Sequence, residues 1–304
     1  MLCLAVLLAA SSFVFRPKNN SASSGMEQPT ANGFLGEKKN TIDVLFLGDS
    51  EAYSAYSPIH IWKKTGYTSY VCSSASQTLD YTFVLLSRAM ENQSPKYVFL
   101  ETNAIYRDVT TDKALLTGLT DWFPVFQYHD RWKSLSISDF FKGVNFTWLD
   151  EYKGYYYNSK VVPANDFDYM KKTDAVKQVN DVNLRYINDI KDICDENGAN
   201  LIFLSTPSTE NWNYEKHNGV QQLADELGCE YIDLNLKNDE LKIDWSKDTR
   251  DAGDHLNYAG AVKVTNYLSD YLKSKGDLTD HRGDVRYGLW YTSQKKYDTT
   301  VKTA

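Results

Sequence analysis

Compact apolar runs alternate with longer stretches of helical spacing through the middle of this 304-residue chain. Ile42 to Leu47 is such a run and ends in Gly48-Asp49-Ser50. It predicts a buried parallel strand, because a strand covered on both faces needs no polar alternation. Ser57-Pro58 has the form of an N-cap followed by a first-turn proline. It opens a helix through Lys64 that stops at Gly66. A second strand is expected over 68–72, a helix over 79–91, and a third strand over 96–100 that runs into Glu101-Thr102-Asn103. The rhythm resumes with a long helix over 173–196, closed by Asn197-Gly198. A strand over 201–204, a helix over 214–227, a strand over 230–234 and a last long helix over 258–273 complete the pattern.

Alternation of this kind means parallel strands joined by right-handed crossovers. The expected fold is α/β, a three-layer α/β/α sandwich around a roughly five-stranded parallel sheet. In such sheets the chemistry gathers just beyond the carboxyl ends of the strands. That places Ser50, Ser73-Ser74, Asn103, Ser205 and the 248–255 loop on one rim. The α/β domain reads as 41–275, with an irregular aromatic insertion at about 105–165 expected over one end of the sheet. The insertion's Trp and Tyr side chains suit either a sugar-stacking wall or self-packing. Residues 276–304 read as a polar tail with a hairpin around 286–292.

The first fifteen residues are almost wholly apolar, and Arg16-Pro17-Lys18 and a Ser/Asn/Gly-rich run to Asn40 follow. Fifteen residues are short of the roughly 20 needed to cross a bilayer. Three readings stand: a membrane anchor that begins upstream of Met1, a signal peptide lacking a basic n-region, or a buried apolar arm. The first two place the domain outside the cytoplasm, membrane-anchored or secreted, with residues 16–40 as a flexible tether. A net charge of −7 argues against a nucleic-acid partner. Cys3, Cys72, Cys194 and Cys229 form no CxxC pair and no zinc spacing; a Cys194–Cys229 bridge is left open. Neither GxGxxG nor GxxxxGK[ST] occurs, so no cofactor and no metal are expected.

Ser50 follows a buried strand and a flexible glycine, where a hydroxyl points off the sheet edge toward the free N–H groups of the next helix. A serine needs a base to become a nucleophile. Of the five histidines, only His255 falls on the expected rim with carboxylates beside it. Such carboxylates hold an imidazole tautomer and stabilise the imidazolium.

Together, Ile42 to Ser50 (IDVLFLGDS) and Asp251 to Gly260 (DAGDHLNYAG) resemble the first and last blocks of the GDSL/SGNH hydrolase superfamily. Ser73-Ser74-Ala75-Ser76-Gln77 falls where that family's second block lies, and Thr102-Asn103 where its third lies. The chain is similar above all to the membrane-tethered bacterial branch that helps D-alanylate teichoic acids or O-acetylate exported polysaccharides, usually beside a multi-spanning membrane acyltransferase. The resemblance implies a flavodoxin-like SGNH fold and a serine esterase or acyltransferase working on an acylated cell-envelope glycopolymer. Ser50 would be the nucleophile and His255 the general base. The N–H of Ser50, an N–H near Ser73 and the Asn103 amide would form the oxyanion hole. Two features depart from the family. Serine stands where the second block carries glycine, and Ala252 occupies the usual acid position, three residues before the histidine. Asp251 and Asp254 remain as candidate acids. These departures also support an alternative, a catalytically inactive binding or assembly protein on the same fold.

Overall fold

The computed structural model describes residues 2–165 and 167–303. Five strands, β1 (Val44–Gly48), β2 (Ser69–Ser73), β3 (Tyr97–Glu101), β4 (Asn200–Ser205) and β5 (Glu230–Asp233), form one all-parallel sheet in the order β2-β1-β3-β4-β5. The helices are α1 (Leu2–Phe15), α2 (Ser50–Ala55), α3 (Pro58–Thr65), α4 (Leu79–Met90), α5 (Thr111–Trp122), α6 (Val125–Tyr128), α7 (Asp181–Glu196), α8 (Tyr214–Leu227), α9 (Asn238–Leu241), α10 (Tyr258–Lys275) and α11 (Gly288–Thr303).

Successive strand residues point to opposite faces, and both faces are covered. Leu45, Leu47, Val98, Leu100 and Phe203 pack with α4, α7 and α8 through Leu85, Ile187, Ile190 and Leu223. Val44, Phe46, Phe99 and Leu204 pack on the other side with α2 and α10 through Ala52, Val264 and Leu268. This is the expected three-layer α/β/α arrangement. The strand order reverses between β1 and β3, so the crevice at their carboxyl ends is the topological switch point where open α/β sheets bind ligands. Ser50 follows β1 and Asn103 follows β3.

Several local expectations change. The helix expected from 173 begins at Asp181, because Asn180 is extended and its side chain caps Asn183 N–H. The preceding carbonyls are held by α8 instead: Asn218 Nδ2 donates to Thr173 O and Ala175 O, both at 2.8 Å. The C-terminal hairpin is instead helix α11. Its Trp290 and Tyr297 lie one heptad apart and bury against Ile59 and Trp62, with the Trp62 and Trp290 rings 5.4 Å apart. Residues 16–40 are no free tether: Phe34 joins the core, and Asn32 Nδ2 donates to Glu27 O, Gln28 O and Tyr81 Oη.

The insertion divides rather than capping one end of the sheet. Its first half forms α5 on the flank of α4, held by Arg88–Asp121 at 2.8 Å. Its second half runs along the edge of β2, where Val71 N–H donates to Lys153 O at 2.9 Å. All four cysteines are free, so the Cys194–Cys229 bridge is absent; Cys72 and Cys194 are buried. Among the described residues, no helix is long and apolar enough to cross a membrane.

Candidate active site at the switch point

Gly48 sets the bend out of β1. Its φ is +149°, and a Cβ there would lie 2.5 Å from Glu101 Cβ. Asp49 then caps α2, with its Oδ1 accepting from Glu51 N–H at 2.9 Å. Ser50 is therefore the first residue of a helix, where its backbone N–H has no acceptor within the helix. The strand register sets Ser73 beside Gly48, so the loop after β2 adjoins the loop after β1. Asn103, in the turn after β3, donates through Nδ2 to Asp49 Oδ2 at 3.0 Å. Arg107 Nε also donates to that oxygen. One amide hydrogen of Asn103 is thus committed to Asp49, which leaves the other for a ligand.

His255 lies on a loop whose shape sets how Asp251 and Asp254 meet it. Ala252 and Gly253 are both left-handed, with φ of +63° and +99°. That turn absorbs the extra residue between acid and base. Asp251 Oδ1 accepts from His255 N–H at 2.7 Å, and Asp251 Oδ2 faces His255 Nδ1 at 2.8 Å. Asp254 is more distant from Nδ1, at 3.4 Å, and its Oδ1 accepts from Asn211 Nδ2. Burial would raise the Asp251 carboxyl, but the hydrogen bonds from the His255 side chain and backbone outweigh it and hold the carboxyl below its ordinary value. With Nδ1 donating to Asp251, the hydrogen-bond network assigns the lone pair to Nε2. Nε2 is buried and makes no hydrogen bond, so no bond to Ser50 is formed. Ser208 Oγ steadies the loop by donating to Asp254 O at 2.7 Å.

A polar cluster around Glu51 was not visible from the order of residues alone. Glu51 is almost fully buried. Burial first, then the nearby Asp49 and Glu101, push its carboxyl well above the ordinary range. Glu101 is raised in the same way, by burial and then by Asp49. Asn211 Nδ2 donates to Glu51 Oε1 at 2.7 Å and also reaches Asp254, tying the Ser50 helix to the His255 loop. Among the described residues, ligand atoms of Glu51, Asp254 and His255 lie within 4.8 Å of one another, close enough to share a cation. Residues 51 and 255 are too far apart in sequence for spacing to suggest the cluster. Lys216 Nζ donates to Asn211 O at 2.6 Å, and burial lowers its pKa. The other histidines pair elsewhere: His217 with Asp233 at 2.8 Å, His281 with Asp43 at 3.0 Å, His60 with Asn266 at 3.1 Å and His129 with Phe126 O at 3.0 Å.

Beside this rim opens a cavity of about 530 Å³, lined by Tyr53, Tyr152, Tyr156 and Tyr157 together with Ser73 and Ser74. Tyr53 lies one turn after Ser50 and interacts with its side chain. The Arg250 guanidinium sits 5.3 Å over the Tyr156 ring. The second half of the insertion therefore supplies an aromatic wall next to Ser73.

No family model matches the chain, and no curated protein does. Solved structures that resemble it include a putative acylhydrolase from Bacteroides fragilis, with 13% identity over 82% of this chain and 94% of that one and a TM-score of 0.41. A GDSL-like lipase from Bacteroides thetaiotaomicron shows 11% identity over 76% and 88%, with a TM-score of 0.39. A psychrotrophic esterase from Pseudoalteromonas shows 10% identity over 77% and 98%, with a TM-score of 0.39. By their names, the structures this chain is similar to are a lipase of GDSL type, an esterase and an acylhydrolase.

Proposed function

We propose that this chain is a serine-dependent acyl esterase or acyltransferase that acts through an acyl-enzyme at Ser50 on an acylated cell-envelope glycopolymer. The observation that carries this reading is the Asp251–His255 pair, with Nε2 unengaged on the rim where Ser50 opens a helix. Ser50 Oγ attacks the acyl carbon while its proton passes to His255 Nε2. The tetrahedral oxyanion is met by the Ser50 N–H, the Ser73 N–H and the free amide hydrogen of Asn103. Each such donor contributes about 3–4 kcal/mol to the transition state. Collapse breaks the bond to the departing alkoxide, which takes the proton from His255. Water or a sugar hydroxyl then attacks the acyl carbon, gives its proton to His255 and frees Ser50, whose oxygen recovers a proton from the imidazolium.

The tyrosine wall favours a hydroxyl-rich ring, because phenol faces stack while their tips hydrogen-bond. The apolar α1 favours attachment at a membrane, with the domain outside the cytoplasm and a multi-spanning acyltransferase as the acyl donor's source. A non-catalytic role on the same scaffold is favoured by one observation, the missing Ser50–His255 bond. In resting sites that bond is often long and tightens with substrate. A fluorophosphonate probe separates the readings. Labelling of the wild type but not of Ser50→Ala, with loss of p-nitrophenyl acetate turnover, is the expected result. A folded wild type that stays unlabelled refutes the enzyme.

A further inference from the structure

Exposed apolar side chains are concentrated in one part of this molecule. Among the described residues, 21 large apolar side chains are exposed, and 14 of them lie in α1 or in residues 111–144. On α1 they include Leu4 and Leu7; on α5, Leu115, Leu119 and Trp122; beyond it, Phe141. The two segments form one surface. α1 packs on α6 and on the turns at 129–133 and 137–140, and α5 packs on α6. Val125 N–H donates to Ser12 Oγ at 3.4 Å, and Asn145 N–H to Lys18 O at 2.9 Å. Monomeric proteins rarely leave an apolar patch of this extent uncovered.

We propose that this face, α1 together with α5 and the turns to residue 144, seats the protein on an anionic lipid bilayer. The inference deepens the envelope reading above by naming the surface that meets the membrane. Two observations favour lipid over a protein groove. First, α1 carries no charged residue and is apolar all round its axis. A helix of that kind needs apolar surroundings on every side, whereas a groove covers one side. Second, the charge distribution matches an anionic surface. Residues 2–15 and 111–144 hold four Lys/Arg against four Asp/Glu, and Arg16 and Lys18 directly follow α1, in a chain whose net charge is −7. The proposed seat is thus less acidic than the rest of the protein and is flanked by two basic residues, which are drawn to anionic headgroups near a membrane. In that seat Trp122, Trp132 and Phe141 sit at headgroup depth, as aromatic side chains prefer.

The test uses the full chain and vesicles of phosphatidylcholine with or without phosphatidylglycerol. The variants are Leu115→Glu/Leu119→Glu on α5 and Val285→Glu, an exposed apolar site elsewhere, as control. All are checked for fold by circular dichroism. The expected result is flotation of wild type and control with phosphatidylglycerol vesicles, and at least a tenfold weaker association of the α5 variant. Brominated-lipid quenching of tryptophan fluorescence should fall in Trp122→Phe. Wild-type protein that does not float, or an α5 variant that floats as well as wild type, overturns the proposal. So does a wild-type dimer that the α5 variant converts to monomer, which would make this face a contact between copies. Fluorophosphonate labelling of Ser50 is read in parallel. Patch-dependent flotation without labelling would remove the enzyme reading and leave the membrane seat standing.

Discussion

Replacing Asp251 with Asn probes the acid–base pair with almost no change in shape. The carboxylate makes two contacts with His255, Oδ1 to its backbone N–H at 2.7 Å and Oδ2 to Nδ1 at 2.8 Å. An amide has one acceptor oxygen and one NH₂ group, so it cannot satisfy both. If the oxygen keeps the backbone N–H, the NH₂ faces Nδ1, forces that atom to accept, and leaves the proton on Nε2. The imidazole can then no longer act as a base toward Ser50. If the oxygen keeps Nδ1, two donors oppose each other at the backbone, at a cost of about 1–3 kcal/mol to the loop. The first arrangement predicts a loss in kcat of about 10³–10⁴-fold, the scale seen when a triad aspartate becomes asparagine. That corresponds to roughly 4–5.5 kcal/mol of barrier.

The assay is p-nitrophenyl acetate hydrolysis alongside fluorophosphonate labelling, with circular dichroism to verify the fold. Asp254→Asn should cost under about tenfold, because Asp254 stands 3.4 Å from Nδ1 and is already bound by Asn211. The reverse ranking, with Asp254→Asn the crippled variant, refutes the assignment. The pH dependence adds a second readout. The Asp251 carboxyl is depressed below 3.8, so its support of the loop is complete above the unfolded value and is lost as pH falls through the folded one. Wild-type stability should therefore decline in strong acid by a component that Asp251→Asn lacks.

Other perturbations follow from the geometry. Gly48→Ala combines a φ of +149° with a Cβ 2.5 Å from Glu101 Cβ and should cost about 2–4 kcal/mol in chemical denaturation; a neutral result would mean the strand end is differently bent. Glu51→Gln keeps the acceptor for Asn211 and removes an acid raised well above 4.5. Burying that acid destabilises progressively as pH rises above the unfolded value, so the variant's melting advantage should grow as pH rises out of the ordinary carboxyl range; a flat difference contradicts the assignment. Trp290→Ala should cost about 3–5 kcal/mol by unpacking α11 from Trp62, and an unchanged denaturation midpoint would show the helix is not docked. Thiol titration of the native protein should find Cys3 fast and Cys72 and Cys194 silent until unfolding, as their burial dictates; early reaction of Cys72 would count against the β2 packing.

Much of the framework was legible from the apolar rhythm. β1, α3, α8 and α10 fall where strand-length runs, helical spacing, the Ser57-Pro58 start and the Gly66 stop place them, because these signals act over a few residues. The strand–helix alternation is also what leads one to expect Ser50 and His255 on one rim, although the structure forms no bond between them. Other features were not legible. The tail contains Trp290, Ser293 and Tyr297 at helical spacing, but only the presence of Ile59 and Trp62 opposite makes that face worth burying. Residues 16–40 have a linker's composition, yet Phe34 finds a place against Tyr70, their ring centroids 6.1 Å apart.

The sequence by itself determined the strand and helix periods, the glycine and serine at the end of the first strand, and a histidine, His255, with carboxylates beside it on the expected rim. These are local properties of neighbouring residues. Which aspartate pairs with His255 was a tertiary matter: the left-handed Ala252-Gly253 turn brings Asp251 to Nδ1, while Asn211 binds Asp254. The buried acids Glu51 and Glu101, and the joining of α1 to α5 in one apolar face, are likewise settled only by contacts between residues far apart in the chain, which spacing alone does not encode.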